Sequence, residues 1–133
     1  MLGGGLTGLE AAEVLTEQGK KATVVEMLDA VGKDLEMYIL PYMLGYIAEH
    51  QIETHVNTKV VALEADGVLA EQDGKQIKIP CDALVLAAGS VPNTDVIDLV
   101  KKTGYAYKVI GDNNAPGKVI TALWTANELG RSI

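Results

Sequence analysis

The chain predicts an α/β fold: a Rossmann-like parallel sheet joined to a three-stranded antiparallel β-meander. Three observations carry that expectation. A glycine-rich turn at Gly3–Gly8 runs straight into an apolar helical segment. Short β-branched runs then alternate with helical stretches as far as Val56. Beyond Thr58, two Asp-Gly pairs (Asp66-Gly67 and Asp73-Gly74) punctuate alternating segments, which is a hairpin signal.

Each element follows from local pattern. Leu6, Leu9, Ala12, Val14 and Leu15 recur at helical spacing, and Gly19 supplies the stop, so Leu6 to Gly19 reads as a helix. Ala22 to Glu26 is a β-branched strand, apolar nearly throughout, as a buried parallel strand should be. A loop with Gly32 spans Asp29 to Leu35, and a second helix is expected from about Met37 to Glu49, with Pro41 tolerated in its first turn or at a kink. Ile52 to Val56 reads as a third strand. Thr58–Glu64, Val68–Gln72 and Gln76–Ile79 form the meander, and Asp82 to Gly89 is expected as a further buried strand. After Pro92 come a short helix capped by Asn93 or Thr94 and ending near Gly104, a strand at Ala106–Ile110, and a last helix from about Lys118 to Arg131.

Composition narrows the function classes. The 133 residues carry a net charge of −7, which disfavours nucleic acid, because binding there depends on neutralising phosphates. A dinucleotide is compatible with that charge, since backbone N–H groups and a helix terminus can hold its phosphates. No run approaches the ~20 apolar residues that span a bilayer, and no basic segment precedes an apolar run at the N-terminus. The expectation is a cytoplasmic chain without a membrane partner. Cys81 is the only cysteine, so the sequence holds no disulfide framework, C-x-x-C pair or cysteine-rich cluster.

Gly3, Gly5 and Gly8 carry the G-x-G-x-x-G spacing of a dinucleotide loop, with Gly4, Leu6 and Thr7 between them. Gly3 permits the tight turn, Gly5 lets backbone approach a pyrophosphate, and Gly8 permits close packing of helix on strand. Glu26 ends the next strand, where an acid accepts hydrogen bonds from the adenosine ribose. That carboxylate repels a 2′-phosphate, and Met27 and Leu28 follow with no adjacent base, so NAD(H) is favoured over NADP(H). His50 and His55 lack a ligand set, Cys81 suits core or edge, and Tyr38, Tyr42 and Tyr46 form a packing stripe.

Taken in order, GGGLTGLEAAEVL, ATVVEML, LVLAAGSVPNT and YKVIGD resemble the C-terminal region of the NADH:flavin oxidoreductases related to old yellow enzyme. That group includes 2,4-dienoyl-CoA reductase, enoate reductase and trimethylamine dehydrogenase, and the resemblance covers essentially the whole chain. It implies an NAD(H)-binding domain at residues 1–89, with its first strand cut short before Gly3. Residues 90–133 would be the return into an FAD domain. Ala88 and Gly89 then lie in the crossover to that domain, and Gly111-Asp112 resembles the second flavin motif, whose Asp bonds the ribityl chain. The cofactor-contacting set becomes Gly3, Gly4, Gly5, Leu6, Thr7, Gly8, Glu26, Met27, Ala88, Gly89, Gly111 and Asp112, with no catalytic acid, base or nucleophile.

The implied function is presentation of NADH for hydride transfer to FAD in a parent reductase, with the isolated chain inactive. FMN and an iron–sulfur cluster would belong to an N-terminal barrel absent from this sequence. The helix carrying Ala122-Leu123-Trp124-Thr125 lacks the expected His-Glu-Gly pattern. An ADP- or NAD-retaining assembly module without catalysis is the first alternative. FAD at the first glycine loop is the second, disfavoured because AAGSVPN and VIGD lie too close together to enclose an inserted NAD domain. Exposed apolar faces are expected to seek a second copy or the parent's other domains.

Overall fold

The computed structural model describes residues 1–133. The chain forms two compact units, Met1–Ala88 and Gly89–Ile133.

In the first unit, helix α1 (Leu6–Glu17) leads to strand β1 (Thr23–Val25), helix α2 (Leu40–Glu49) and strand β2 (Glu53–His55). β1 and β2 pair in parallel, with Val24 opposite Thr54. The ladder extends past β1 through Leu2, which bridges Val25 on one side and Leu86 on the other, both in parallel. The meander follows as β3 (Thr58–Glu64), β4 (Gly67–Gln72) and β5 (Lys75–Pro80), antiparallel throughout. The unit is α/β, a Rossmann-like parallel core beside a three-stranded antiparallel sheet.

Local chemistry sets the element ends. α1 stops where Gly19 takes φ +73°: its N–H bonds Thr16 O, and Lys20 N–H bonds Leu15 O, the paired bonds of a Schellman motif. α2 ends in the same way, except that Gln51 occupies the left-handed position at φ +52°. α2 begins at Leu40, later than the expected Met37, with Pro41 in its first turn and Tyr38 in the turn before it. Asp73-Gly74 makes a two-residue hairpin with φ +51° and +74°, as a type I′ turn requires. At the other hairpin the turn falls on Ala65-Asp66, and Gly67 opens β4. Gly67 serves close strand approach, since a Cβ there would lie 2.4 Å from Ile79 O.

Two apolar clusters hold this unit. Leu9, Ala12, Ala22, Val24, Met43 and Ile52 pack α1 and α2 onto the parallel strands. Val25, Val68, Ala70 and Ile79 pack β1 against the meander, with half-buried Cys81 and Leu84 at the border. Outside them, Lys78 Nζ lies 2.6 Å from Asp66 and 2.8 Å from Glu64. Hydrogen bonding to these carboxylates holds the lysine above its ordinary range, and Lys78 in turn lowers Asp66.

Two expected strands do not form. Asp82–Gly89 pairs only around Leu86: Leu2 N–H donates to Val85 O at 2.9 Å and Ala87 N–H to Leu2 O at 2.8 Å. It is also not buried, with Leu86 71% exposed. Its apolar run lacks a neighbour long enough to build a ladder or cover its faces. Ala106–Ile110 has no ladder partner and forms no strand. It belongs to the second unit, which holds α3 (Asp95–Lys101), one 3-10 turn (Gly111–Asn113) and α4 (Val119–Gly130). No residue of that unit is buried.

Four substitutions test these placements by urea denaturation. A Cβ on Gly8 would sit 2.0 Å from Gly3 O, and one on Gly3 would sit 2.3 Å from Ala87 O at φ +106°. Gly8→Ala and Gly3→Ala should each cost roughly 2–4 kcal/mol. Gly45, inside α2 with open space around it, should gain about 0.5–1 kcal/mol as alanine. Gln51→Gly should likewise stabilise, by about 0.5–1 kcal/mol, by relieving a side chain held in the left-handed region.

Candidate functional site

The glycine loop is built by close backbone contact. Gly3 N–H donates to Val25 O at 2.9 Å, which fixes the loop to the end of β1. Gly3 then turns at φ +106°, against the carbonyl of Ala87 and beside the amide nitrogen of Ala88. Gly8, one turn into α1, rests on Gly3 O. Gly4 is buried, and the space a Cβ would need is taken by Val31 Cγ1 and the Glu26 side chain. Gly5 forms the N-cap of α1, and its carbonyl accepts the Leu9 N–H at 3.0 Å. Thr7 is exposed in the first turn.

Glu26 is buried at the end of β1 and is not a solvated strand-end charge. Its Oε2 accepts the Gly4 N–H at 2.7 Å and its Oε1 the Leu28 N–H at 2.8 Å. Its own backbone is also bonded, N–H to His55 O and carbonyl to Thr58 N–H. A charged acceptor with two amide partners is a strong clamp, and it ties the glycine loop to the strand end. Each oxygen keeps a further lone pair, so the carboxylate can still accept from a ribose hydroxyl. Met27, next in sequence, is 68% exposed.

The loop after Leu28 supplies residues that the sequence did not single out. Gly32 N–H donates to Gly4 O at 2.7 Å, and Val31 packs on Gly4. Asp34 then places both carboxylate oxygens on the Leu6 N–H, at 3.1 and 3.2 Å. They lie 2.9 and 3.1 Å from where a Cβ of Gly5 would be. No spacing rule links position 34 to position 6; only the path of the loop brings them together. Lys33, the nearest downstream base, pairs with Asp29, holding that carboxyl below its usual range by hydrogen bonding and charge.

The Asp34 carboxylate is a stand-in anion. It shows that the first turn of α1, which has no acid of its own, presents a backbone donor to negative charge beside a side-chain-free Gly5. Those are the donors a dinucleotide pyrophosphate uses, so the residues present fit NAD(H). Gly89 (φ +92°), Gly111 (φ +62°) and Asp112 lie in the second unit. Gly111 opens the 3-10 turn there, and Asp112 Oδ1 accepts the Gly117 N–H at 3.3 Å. No residue of that unit is buried, so the residues present there do not by themselves enclose a flavin.

The other candidates have local roles. His50 Nδ1 lies 3.1 Å from Tyr46 O, and its ring stacks on Tyr46. His55 Nε2 lies 2.9 Å from Glu53 Oε1. Tyr46 packs at the edge of the first cluster, and Tyr42 donates to Glu13 on α1, a contact that raises its phenol pKa. No helix is long and apolar enough to cross a membrane.

Residues 1–113 match the family model described as pyridine nucleotide-disulphide oxidoreductase. The chain is 34% identical over 114 residues to bilirubin reductase of Mediterraneibacter gnavus, covering 86% of this chain and 18% of that protein. It is 34% identical over 125 residues to NADH oxidase of Thermoanaerobacter brockii, covering 92% and 19%. A solved structure of 2-naphthoyl-CoA reductase with 2-naphthoyl-CoA superposes with TM-score 0.78 at 26% identity, covering 92% of this chain and 19% of that one. The chain thus spans about a fifth of the length of these relatives. These likenesses agree with the resemblance to old-yellow-enzyme-related flavoproteins drawn from the motif order. The chain belongs to the pyridine nucleotide-disulphide oxidoreductase family.

Proposed function

We propose that this chain is the NAD(H)-binding segment of a flavin-dependent oxidoreductase. The observation that carries the proposal is an anion held on the Leu6 N–H beside Gly5, at the N-terminus of α1. When bound, NADH would supply a hydride to the flavin of the parent enzyme; the chain's own residues would bind and orient the dinucleotide. Gly3, Gly4 and Gly5 bring backbone against the pyrophosphate, and Leu6 and Thr7 offer first-turn N–H groups that have no partner within the helix. Gly8 keeps that turn seated on the strand end. Glu26 accepts from the adenosine ribose while clamping Gly4, and Met27 and Ala88 border the loop. Residues 1–89 are the NAD(H) domain on this proposal, with Gly89 at its border, and residues 90–133, with Gly111 and Asp112, return toward the flavin domain. FMN and an iron–sulfur cluster would be held elsewhere in the parent, and a cytoplasmic location goes with the assignment.

Isothermal titration with NADH, NADPH and ADP tests it. NADH should bind at least tenfold more tightly than NADPH, because Glu26 opposes a 2′-phosphate and the nearest base, Lys33, is paired with Asp29. Glu26→Gln should narrow that gap while the chain stays folded by circular dichroism. Equal affinities for NADH and NADPH would count against the Glu26 role. Equal affinities for NADH and ADP would favour the assembly module that retains nucleotide without catalysis.

The proposed protein partner is a second copy or the parent's remaining domains. Support comes from α4, where Ile120, Leu123 and Trp124 are 56%, 60% and 67% exposed on one stripe. Sedimentation of the isolated chain should show self-association that Leu123→Asp weakens. A strictly monomeric species at high concentration would contradict it.

A further inference from the structure

Asp34 sits on the Leu6 N–H, a donor that the proposed function gives to a dinucleotide phosphate. The carboxylate is not there by free wandering of an exposed side chain. The backbone on either side is tied down: Gly32 N–H to Gly4 O at 2.7 Å, Leu35 N–H to Gly32 O at 3.0 Å, and Val31 and Leu35 against the apolar cluster of α1. Both oxygens face a single donor, the Leu6 N–H, over a glycine that has no side chain to displace them. Gly5 supplies no side-chain cap, and no acid stands in the first turn of α1. Asp34 therefore provides, from 28 residues away, the negative charge that this helix end lacks locally.

One carboxylate and one pyrophosphate cannot share those donors, because like charges at hydrogen-bond separation repel strongly. Granting the dinucleotide reading of this loop, on which the inference rests, we propose that Asp34 is an internal competitor for the phosphate position. It holds the Leu6 N–H in the nucleotide-free chain and must leave when the dinucleotide binds. Occupancy of the loop is thereby coupled to the conformation of the Asp29–Leu35 segment, and affinity for phosphate-bearing ligands is set below what the glycine loop alone would give.

Asp34→Asn tests this cleanly, since asparagine keeps an oxygen for the Leu6 N–H and removes only the charge. Titration calorimetry with ADP and NADH should show binding about three- to tenfold tighter than wild type. Adenosine, which carries no phosphate, should bind equally to both proteins. Asp34→Ser should repeat the gain, and Asp34→Glu, which keeps the charge, should stay near wild type; circular dichroism checks that each variant is folded. Unchanged or weaker ADP binding in folded Asp34→Asn and Asp34→Ser overturns the competitor role while leaving the nucleotide site standing. Tighter binding of adenosine as well would also overturn it, because the gain would not be a phosphate effect. Failure of every folded protein, wild type included, to bind ADP or NADH overturns the nucleotide reading and the competitor with it.

Discussion

The first unit depends on one steric constraint, backbone resting on backbone at Gly3, Gly8 and Ala87. A Cβ at Gly8 would be 2.0 Å from Gly3 O, so α1 reaches the strand end only because nothing projects there. That contact sets the tilt at which Leu9 and Ala12 enter the core beside Val24. It also sets where α1 begins, and hence where the Leu6 N–H points. Packing and anion recognition are two consequences of the same missing side chains.

Two carboxylates then divide the work around the loop. Glu26 lies inside, bonded to Gly4 and Leu28, and acts first as a clamp. Asp34 lies outside, over Gly5, and answers the partial positive charge of the helix end. Burial explains the difference: a carboxylate removed from water needs its amide partners, whereas an exposed one is exchangeable. A chain of net charge −7 can therefore still offer an anion site, because the donors are backbone amides.

Much of this was legible in the sequence, and the gaps have physical causes. α1 was readable because an apolar period of 3.6 ended on a glycine, and the Gly74 hairpin because Asp-Gly suits φ above zero at both turn positions. The Asp66-Gly67 pair points to a turn one residue later than Ala65-Asp66, where it falls, because Gly67 serves cross-strand approach and not the turn. Asp82–Gly89 was read as a buried strand from its apolar run. Burial and ladder pairing need neighbours, though, and Leu2 gives it only a single bridge. Glu26 was located by spacing, but its clamp on Gly4 was not, and Asp34 had no signal at all because its partner is set by the loop's path.

The second unit, without a buried residue, contributes surface and short helices, so the functional account stands on the glycine loop. The most direct measurement is amide chemical-shift mapping of the isotope-labelled chain during titration with NADH. The largest shifts are expected at Gly4 to Thr7 and at Leu28, with Asp34 moving at the same NADH concentration. Loop amides that stay fixed at saturating NADH would contradict it.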